Sequence, residues 1–269
     1  MLKSIVITTY NDDLRLKMTL AGWCGQLDKN CELIVVDDGG DFPQQTMSLV
    51  LGCEPYFKDV AYIYLSPAKA SLGKQVFRLA AARNSGLKRA KGELTIISDC
   101  DTVPRPDVAA IFEQGYTPNR VQIGIRKRIA KQKVHELGPN TSFFKDLESL
   151  AYQTDDRLLA PRANPRHFLN MDDVAWGWDL CWGCLFAAPT KHLKALGGFD
   201  QRFESWGGED EDMAERLVRG AGCVLKAQPA AVVYHLDHEP RCTVPYQGQK
   251  NLAEIRANWT AVRNDGPIP

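Results

Sequence analysis

The segment Leu94–Pro106, LTIISDCDTVPRP, constrains the chain more than any other. An apolar run with strand character enters Ser98-Asp99-Cys100-Asp101, and Pro104 and Pro106 then stop an ordinary strand from continuing. A buried strand therefore delivers two carboxylates to its own carboxyl end, which is where open α/β sheets hold their ligands. Carboxylates one residue apart suit a hard divalent cation that carries phosphates. Taken alone, the same D-x-D reads equally as a turn in which Asp caps the next helix. Other segments have to decide between the two.

Ser4–Thr8 (SIVIT) is a short apolar strand followed by Thr9-Tyr10-Asn11-Asp12, where Asn11 or Asp12 is placed to cap a helix running toward Trp23. Cys31–Val36 is a second strand, ending in Asp37-Asp38-Gly39-Gly40, and Val60–Leu65 a third, ending at Ser66-Pro67. Helical segments lie between them, so the order is β-α-β-α with a mostly parallel sheet, and hydroxyls and carboxylates collect along one edge of it. In the helix expected over Lys74–Ala90, Val76, Ala80, Arg83, Leu87 and Ala90 share one stripe. A guanidinium facing the sheet costs free energy unless an anion meets it. Asp37, Asp38 or Asp99 would neutralise it structurally; a bound nucleotide or phosphate would do so functionally.

Composition narrows the partners. The 269 residues suffice for one large domain or two small ones, and 33 basic residues balance 33 acidic ones, so no global field recruits nucleic acid or an anionic membrane. No apolar run reaches the length of a signal peptide or a membrane span, and the expectation is a cytoplasmic protein. The basic run Arg126-Lys127-Arg128, with Lys131 and Lys133, is a solvated face or a contact for an anionic acceptor or lipid headgroups. Cys181-x-x-Cys184 has no second C-x-x-C and lies among Trp and Phe, which favours core packing over zinc or redox chemistry. Pro161–Pro165 reads as a loop and Tyr246–Trp259 as a C-terminal helix.

The second informative block is Trp206-Gly207-Gly208-Glu209-Asp210-Glu211-Asp212. The glycine pair permits a close backbone approach before a helix starting near Glu209, and four acids suit a helix N-terminus. Asp210 shares a face with Met213, Ala214 and Leu217, whereas Glu211 and Glu215 point elsewhere. A carboxylate aimed inward is the candidate general base, because desolvation strengthens a carboxylate's hold on a proton. Strands are expected at Cys223–Lys226 and Ala231–Tyr234, the second running into His235-Leu236-Asp237-His238. A histidine beside a carboxylate-held cation suits Mn²⁺ better than Mg²⁺. A zinc site from His235, His238 and Cys242 lacks a fourth ligand.

TTYN near the start, VVDDGG, AARNSGLKRAKGE and SDCDTVP occur in this order between residues 8 and 104. Together they resemble the nucleotide-sugar half of glycosyltransferase family 2, which has the GT-A fold, an α/β Rossmann-like, mostly parallel sheet flanked by helices. The resemblance implies that Thr8, Tyr10 and Asp38 line the nucleoside pocket with Arg83 near it, that Asp99 contacts ribose or metal, and that Asp101 binds the metal. One departure is Thr8, where the family usually has Pro before the Thr-Tyr pair. GGFDQRFESWGGEDEDMAERLV in turn resembles the catalytic region shared by beta-1,4-galactosyltransferases, chondroitin-polymerase-type bacterial enzymes and polypeptide N-acetylgalactosaminyltransferases. By that likeness Asp210 is the base of an inverting reaction, Glu209 holds the acceptor hydroxyl, Trp206 and Gly208 border the acceptor, and His235 rather than His238 joins the metal. The retaining polypeptide enzymes tend to have Asn at the position of Asp210.

What the resemblance implies as a whole is a single GT-A domain over residues 1–269, with 1–115 for the nucleotide sugar and 170–245 for acceptor and catalysis. The expected donor is a UDP-sugar with Mn²⁺, Mg²⁺ being the alternative cofactor. The acceptor is a saccharide, glycolipid, peptide or natural product; no nucleic acid and no transmembrane segment are expected, and peripheral membrane contact stays open. A retaining transferase of the same fold and a non-catalytic nucleotide-sugar-binding protein are the alternatives.

Overall fold

The computed structural model describes residues 1–67, 77–134, 136–137, 143–154, 181–203, 207–239 and 260–269. Its strands are β1 Lys3–Thr9, β2 Cys31–Asp37, β3 Asp59–Tyr64, β4 Leu94–Asp99, β5 Thr102–Pro104, β6 Arg120–Ile129, β7 Ala151–Thr154, β8 Leu185–Pro189 and β9 Val224–Leu236. Its helices are α1 Asp13–Cys24, α2 Pro43–Leu51, α3 Leu79–Arg89, α4 Val108–Gln114, α5 Lys131–Val134, α6 Phe143–Leu150, α7 Thr190–Ala195 and α8 Glu209–Arg219.

The strands form one sheet in the order β3-β2-β1-β4-β8-β6-β9-β5, with β7 paired to β6. The β3-β2-β1-β4 half is parallel; β8 then runs antiparallel to β4, and β6 and β9 are parallel to each other. Alternating β-branched residues send side chains to both faces. Val6, Ile34, Val36 and Ile97 pack with Ala80, Ala82 and Leu87 of α3, while Ile5, Ile7, Leu33, Val35 and Ile96 pack with Leu16, Leu20 and Trp23 of α1. Each such side chain contributes about 1.5–3 kcal/mol on burial, enough in sum to fix the register of the polar strand ends. Thr8 lies opposite Val36 on one side and Asp99 on the other, and Thr9 opposite Asp37. The expected edge of hydroxyls and carboxylates is therefore present.

Three local readings change. Pro104 does not exclude a strand, because β5 resumes after the D-x-D turn as a three-residue edge strand paired with β9, a place where a missing N–H is tolerated. The two strands expected at Cys223–Lys226 and Ala231–Tyr234 are one: Ile123 pairs with Ala227 and Ile125 with Val232, so the residues around Pro229 bulge out and the ladder continues beyond them. Helix α3 starts only at Leu79, with Phe77 and Arg78 outside it; Lys74 and Val76 lie outside the described residues. Asp12 is the cap of α1, its carboxylate accepting from the Arg15 N–H. Pro161–Pro165, Trp206, Cys242 and the helix expected over Tyr246–Trp259 also lie outside the described residues.

The segment 260–269 braces α8 from below. Arg263 reaches Asp200 at 2.9 Å and Asp212 at 3.2 Å, while Arg216 holds Asp212 at 2.7 Å and donates to the carbonyls of Leu196 and Gly198. Among the described residues no helix is long and apolar enough to cross a membrane.

Candidate functional site

Two clusters meet at the carboxyl end of β4. The first is created by the β5–β9 register. Thr102 pairs with His235, and the Leu236 N–H donates to the Asp101 carbonyl at 2.8 Å, so the D-x-D turn and the end of β9 are locked together. Asp101 Oδ2 lies 2.9 Å from His238 Nε2 and 3.5 Å from His235 Nε2, and one ligand atom from each of the three residues falls within 4.8 Å of the others. Asp101 Oδ1 is buried and has no hydrogen-bond partner. Burial would raise the Asp101 carboxyl, but the two imidazoles outweigh it and hold it below its usual range. The hydrogen bond to Asp101 raises His238 in return. One carboxylate with an unmet oxygen and two imidazoles form a donor set that fits Mn²⁺, whose borderline softness accepts nitrogen beside oxygen. His238 thus stands with His235 rather than behind it. Asp99 is not part of this group; its Oδ1 is taken by Arg83.

The second cluster surrounds Arg83, which is 1% exposed. Its Nη1 lies 2.6 Å from Asp210 Oδ1 and 3.7 Å from Glu209, its Nη2 lies 3.2 Å from Asp99 Oδ1, and the guanidinium stacks 4.9 Å from the Phe199 ring centroid. Desolvating a guanidinium costs several kcal/mol, more than one aliphatic side chain returns, so the arrangement stands only because carboxylates meet it on two sides. Asp37 and Asp38, the other expected partners, are engaged elsewhere. Asp37 accepts from Tyr62 Oη and the Gly40 N–H, and Asp38 pairs with Arg78 at 2.6 Å.

Asp210 is further fixed by the Gly183 N–H, which donates to Oδ2 at 2.7 Å. Gly183 immediately precedes the segment leading to β8, whose Leu185 lies opposite Ser98 of β4, and that antiparallel pairing brings it here. A Cβ at position 183 would lie 1.8 Å from Arg83 Nη2, so no side chain fits. Gly207 and Gly208 have φ of 104° and 96°, a left-handed pair that turns the chain sharply so that the first turn of α8 enters the cleft acid-first.

The enclosed acid of that turn is Glu209 rather than Asp210. Glu209 is 4% exposed, and burial followed by the neighbouring Asp210 charge pushes its carboxyl up to about 8, with Arg83 opposing. Asp99 is pushed up to about 6, by burial first and by Asp101 and Asp210 next. Helix α8 is also buried on more faces than its pattern suggests: Glu215 is 3% exposed and pairs with Arg219, because the helix is covered from both sides. Glu209 gives a pH prediction. Its folded-state value lies above the ordinary 4.5, so its proton stabilises the fold below 4.5 and that contribution is lost as pH rises to about 8. In urea titrations Glu209→Gln should show a flatter stability profile than the parent between these limits; an unchanged slope would remove the assignment.

Of the residues expected at the nucleoside pocket, Thr8 is buried, Tyr10 stacks on Phe77 with centroids 6.1 Å apart, and Asp38 is held by Arg78. Gly183, Asp237 and the full part of His238 were missed by sequence reasoning. H-x-x-H carried the only signal for His238, and nothing in W-G-C marks a backbone donor. Cys181 and Cys184 are buried and not disulfide-bonded. The basic run is matched by the chain's own acids: Lys127 by Glu148, Arg128 by Asp237, Lys131 by Glu239 and Lys133 by Glu136, with Arg126 stacked over Trp182.

Solved structures share this architecture. S. aureus TarS 1-349 in complex with UDP-GlcNAc superposes with a TM-score of 0.58 at 17% identity, over 90% of this chain and 60% of that one. The mannosyltransferase PcManGT from Pyrobaculum calidifontis, in complex with GDP-Man and Mn²⁺, gives 0.52 at 20% identity, over 89% and 58%. The fold is GT-A. Residues 4–114 match the model described as glycosyl transferase family 2, and residues 166–239 the one described as the N-terminal domain of galactosyltransferase. The amino-terminal part of the chain is thus similar to glycosyltransferase family 2. A curated relative, chondroitin synthase of Escherichia coli, is 29% identical over 255 residues; the match takes in 86% of this chain but 34% of that protein, so the chain spans about a third of it.

Proposed function

We propose that the chain transfers a sugar from a UDP-linked donor to an acceptor hydroxyl with inversion at the anomeric carbon, Asp210 acting as general base. The observation that carries this reading is the Arg83 bridge, which places Asp210 one guanidinium away from Asp99 of the D-x-D turn. Residues 1–115 supply the donor side and 170–245 the acceptor side and the base.

Both oxygens of Asp210 already accept one hydrogen bond from the protein, which sets the plane of the carboxylate and leaves each a second lone-pair direction. An acceptor O–H seated on that edge loses its proton to Asp210 as its oxygen attacks the anomeric carbon and the bond to the diphosphate breaks. Glu209, turned inward, accepts from the Gly207 N–H and holds the glycine turn below the acceptor. Asp101, His235 and His238 would hold Mn²⁺, with Mg²⁺ the poorer alternative. A divalent ion there supplies positive charge against the negative charge that grows on the departing diphosphate. Two observations on other proteins agree: UDP-GlcNAc is the ligand of the TarS complex, and Mn²⁺ accompanies GDP-Man in PcManGT. Acceptor choice, whether saccharide, glycolipid, peptide or natural product, rests with loops around the cleft.

The test is a screen of UDP-sugars with Mn²⁺, reading donor hydrolysis and then, with acceptor, the product's anomeric configuration by NMR. An inverted product supports the reading; a product with the donor's configuration would identify a retaining enzyme, and binding without turnover a nucleotide-sugar-binding protein. In the same assay Asp101→Ala should lose Mn²⁺ binding and, with it, metal-dependent nucleotide binding.

A further inference from the structure

We propose that Asp237 is a positioning residue of the metal centre, fixing the His235 ring so that Nε2 faces Asp101 and tying that ring to β6 and β7. The inference rests on the metal reading above and goes beyond it, to a residue between the two histidines that binds no metal itself.

His235 Nδ1 lies 2.8 Å from Asp237 Oδ1. An ionised carboxylate only accepts, so Nδ1 carries the hydrogen and the lone pair of the neutral ring is on Nε2, the atom nearest Asp101. His238 repeats the arrangement through a different acceptor, with Nδ1 2.6 Å from the Glu239 carbonyl and Nε2 toward Asp101. His235 is thereby set to turn an Nε2 lone pair toward a cation, whereas His238 Nε2 gives its hydrogen to Asp101 until a cation takes its place. Asp237 itself cannot turn inward. Its Oδ1 also accepts from Arg128 Nε at 3.0 Å and its Oδ2 from Tyr152 Oη at 2.8 Å, and its own N–H donates to the Ile129 carbonyl at 3.0 Å. The carboxylate is thus clamped by β6 and β7 on one side and spends its remaining capacity on His235. Such outer carboxylates orient ligating histidines and raise their basicity, and losing one typically weakens metal binding about 10–100-fold.

A purely structural Asp237, pinning β9 to β6, would change stability and leave metal affinity alone. Mn²⁺ binding is therefore measured on the full chain without nucleotide, by the EPR signal of free Mn²⁺, for the parent, Asp237→Asn and Asp237→Ala, with folding checked by circular dichroism. The expected result is roughly 10–100-fold weaker binding for Asp237→Ala and a smaller loss for the isosteric Asp237→Asn, which can still accept from Nδ1. Imidazole ¹⁵N NMR of the metal-free protein should show His235 leaving the single Nδ1–H tautomer in Asp237→Ala. Parent-like Mn²⁺ affinity and an unchanged tautomer in folded Asp237→Ala overturn the inference. A parent chain that binds no Mn²⁺ overturns the metal reading instead, so the two failures are distinct.

Discussion

Asp210→Asn should lower kcat by about 10²–10⁴-fold, the range a positioned general base supplies, while donor KM and Mn²⁺ affinity stay near the parent's. Part of the effect could come from misfit, and its size can be bounded. An Asn at 210 must turn its NH₂ toward either Arg83 Nη1 or the Gly183 N–H, leaving one of these donors unmet. That costs about 1–3 kcal/mol of stability but leaves the Asp101–His235–His238 group untouched. Measuring the melting temperature beside kcat separates the two: a modest stability loss with a large kcat loss marks the base, whereas full turnover would transfer the role to another group.

Arg83→Met should be the most destabilising single change in the cleft. It removes the cation from a space shared by Asp99, Glu209 and Asp210, and breaking a buried pair in this way costs about 3–5 kcal/mol. In a chain of this size that corresponds to a fall in melting temperature of about 5–10 °C. Arg83→Lys is the more discriminating variant. An ammonium is a point charge and cannot bond in one plane to Asp99 and Asp210 at once. The variant should therefore keep most of the stability while kcat drops by about 10²-fold, the usual consequence of misplacing a reacting group by an ångström. Donor KM should move little, because Arg83 is sealed against protein carboxylates rather than open to phosphates. Wild-type kcat in Arg83→Lys would reduce Arg83 to a structural ion pair.

The same residue shows how far the sequence could be read. Its place among Ala80, Leu87 and Ala90 announces a buried cation, since a stripe of small apolar residues leaves no route to water. Its partner Asp210, 127 positions away, could not be foreseen, because the contact depends on Gly183 lying across from β4 in an antiparallel pairing that no local pattern encodes. The parallel strands were legible because Val and Ile runs stop at Thr or Asp, and the registers bear that out. Strand β5 was not, since three residues ending in Pro read as a turn; yet β5 is what carries Asp101 to His235 and His238. The continuous β9 was hidden for a related reason, a Pro that sits in a bulge.

The brace formed by residues 260–269 has a wider consequence. Arg263 clasps Asp200 and Asp212, the second of these in the same first turn of α8 that presents Asp210. Tolerance to change in this chain is thus governed partly from behind the cleft: an innocuous-looking replacement at Asp200 or Arg263 would tilt the turn on which Asp210 stands.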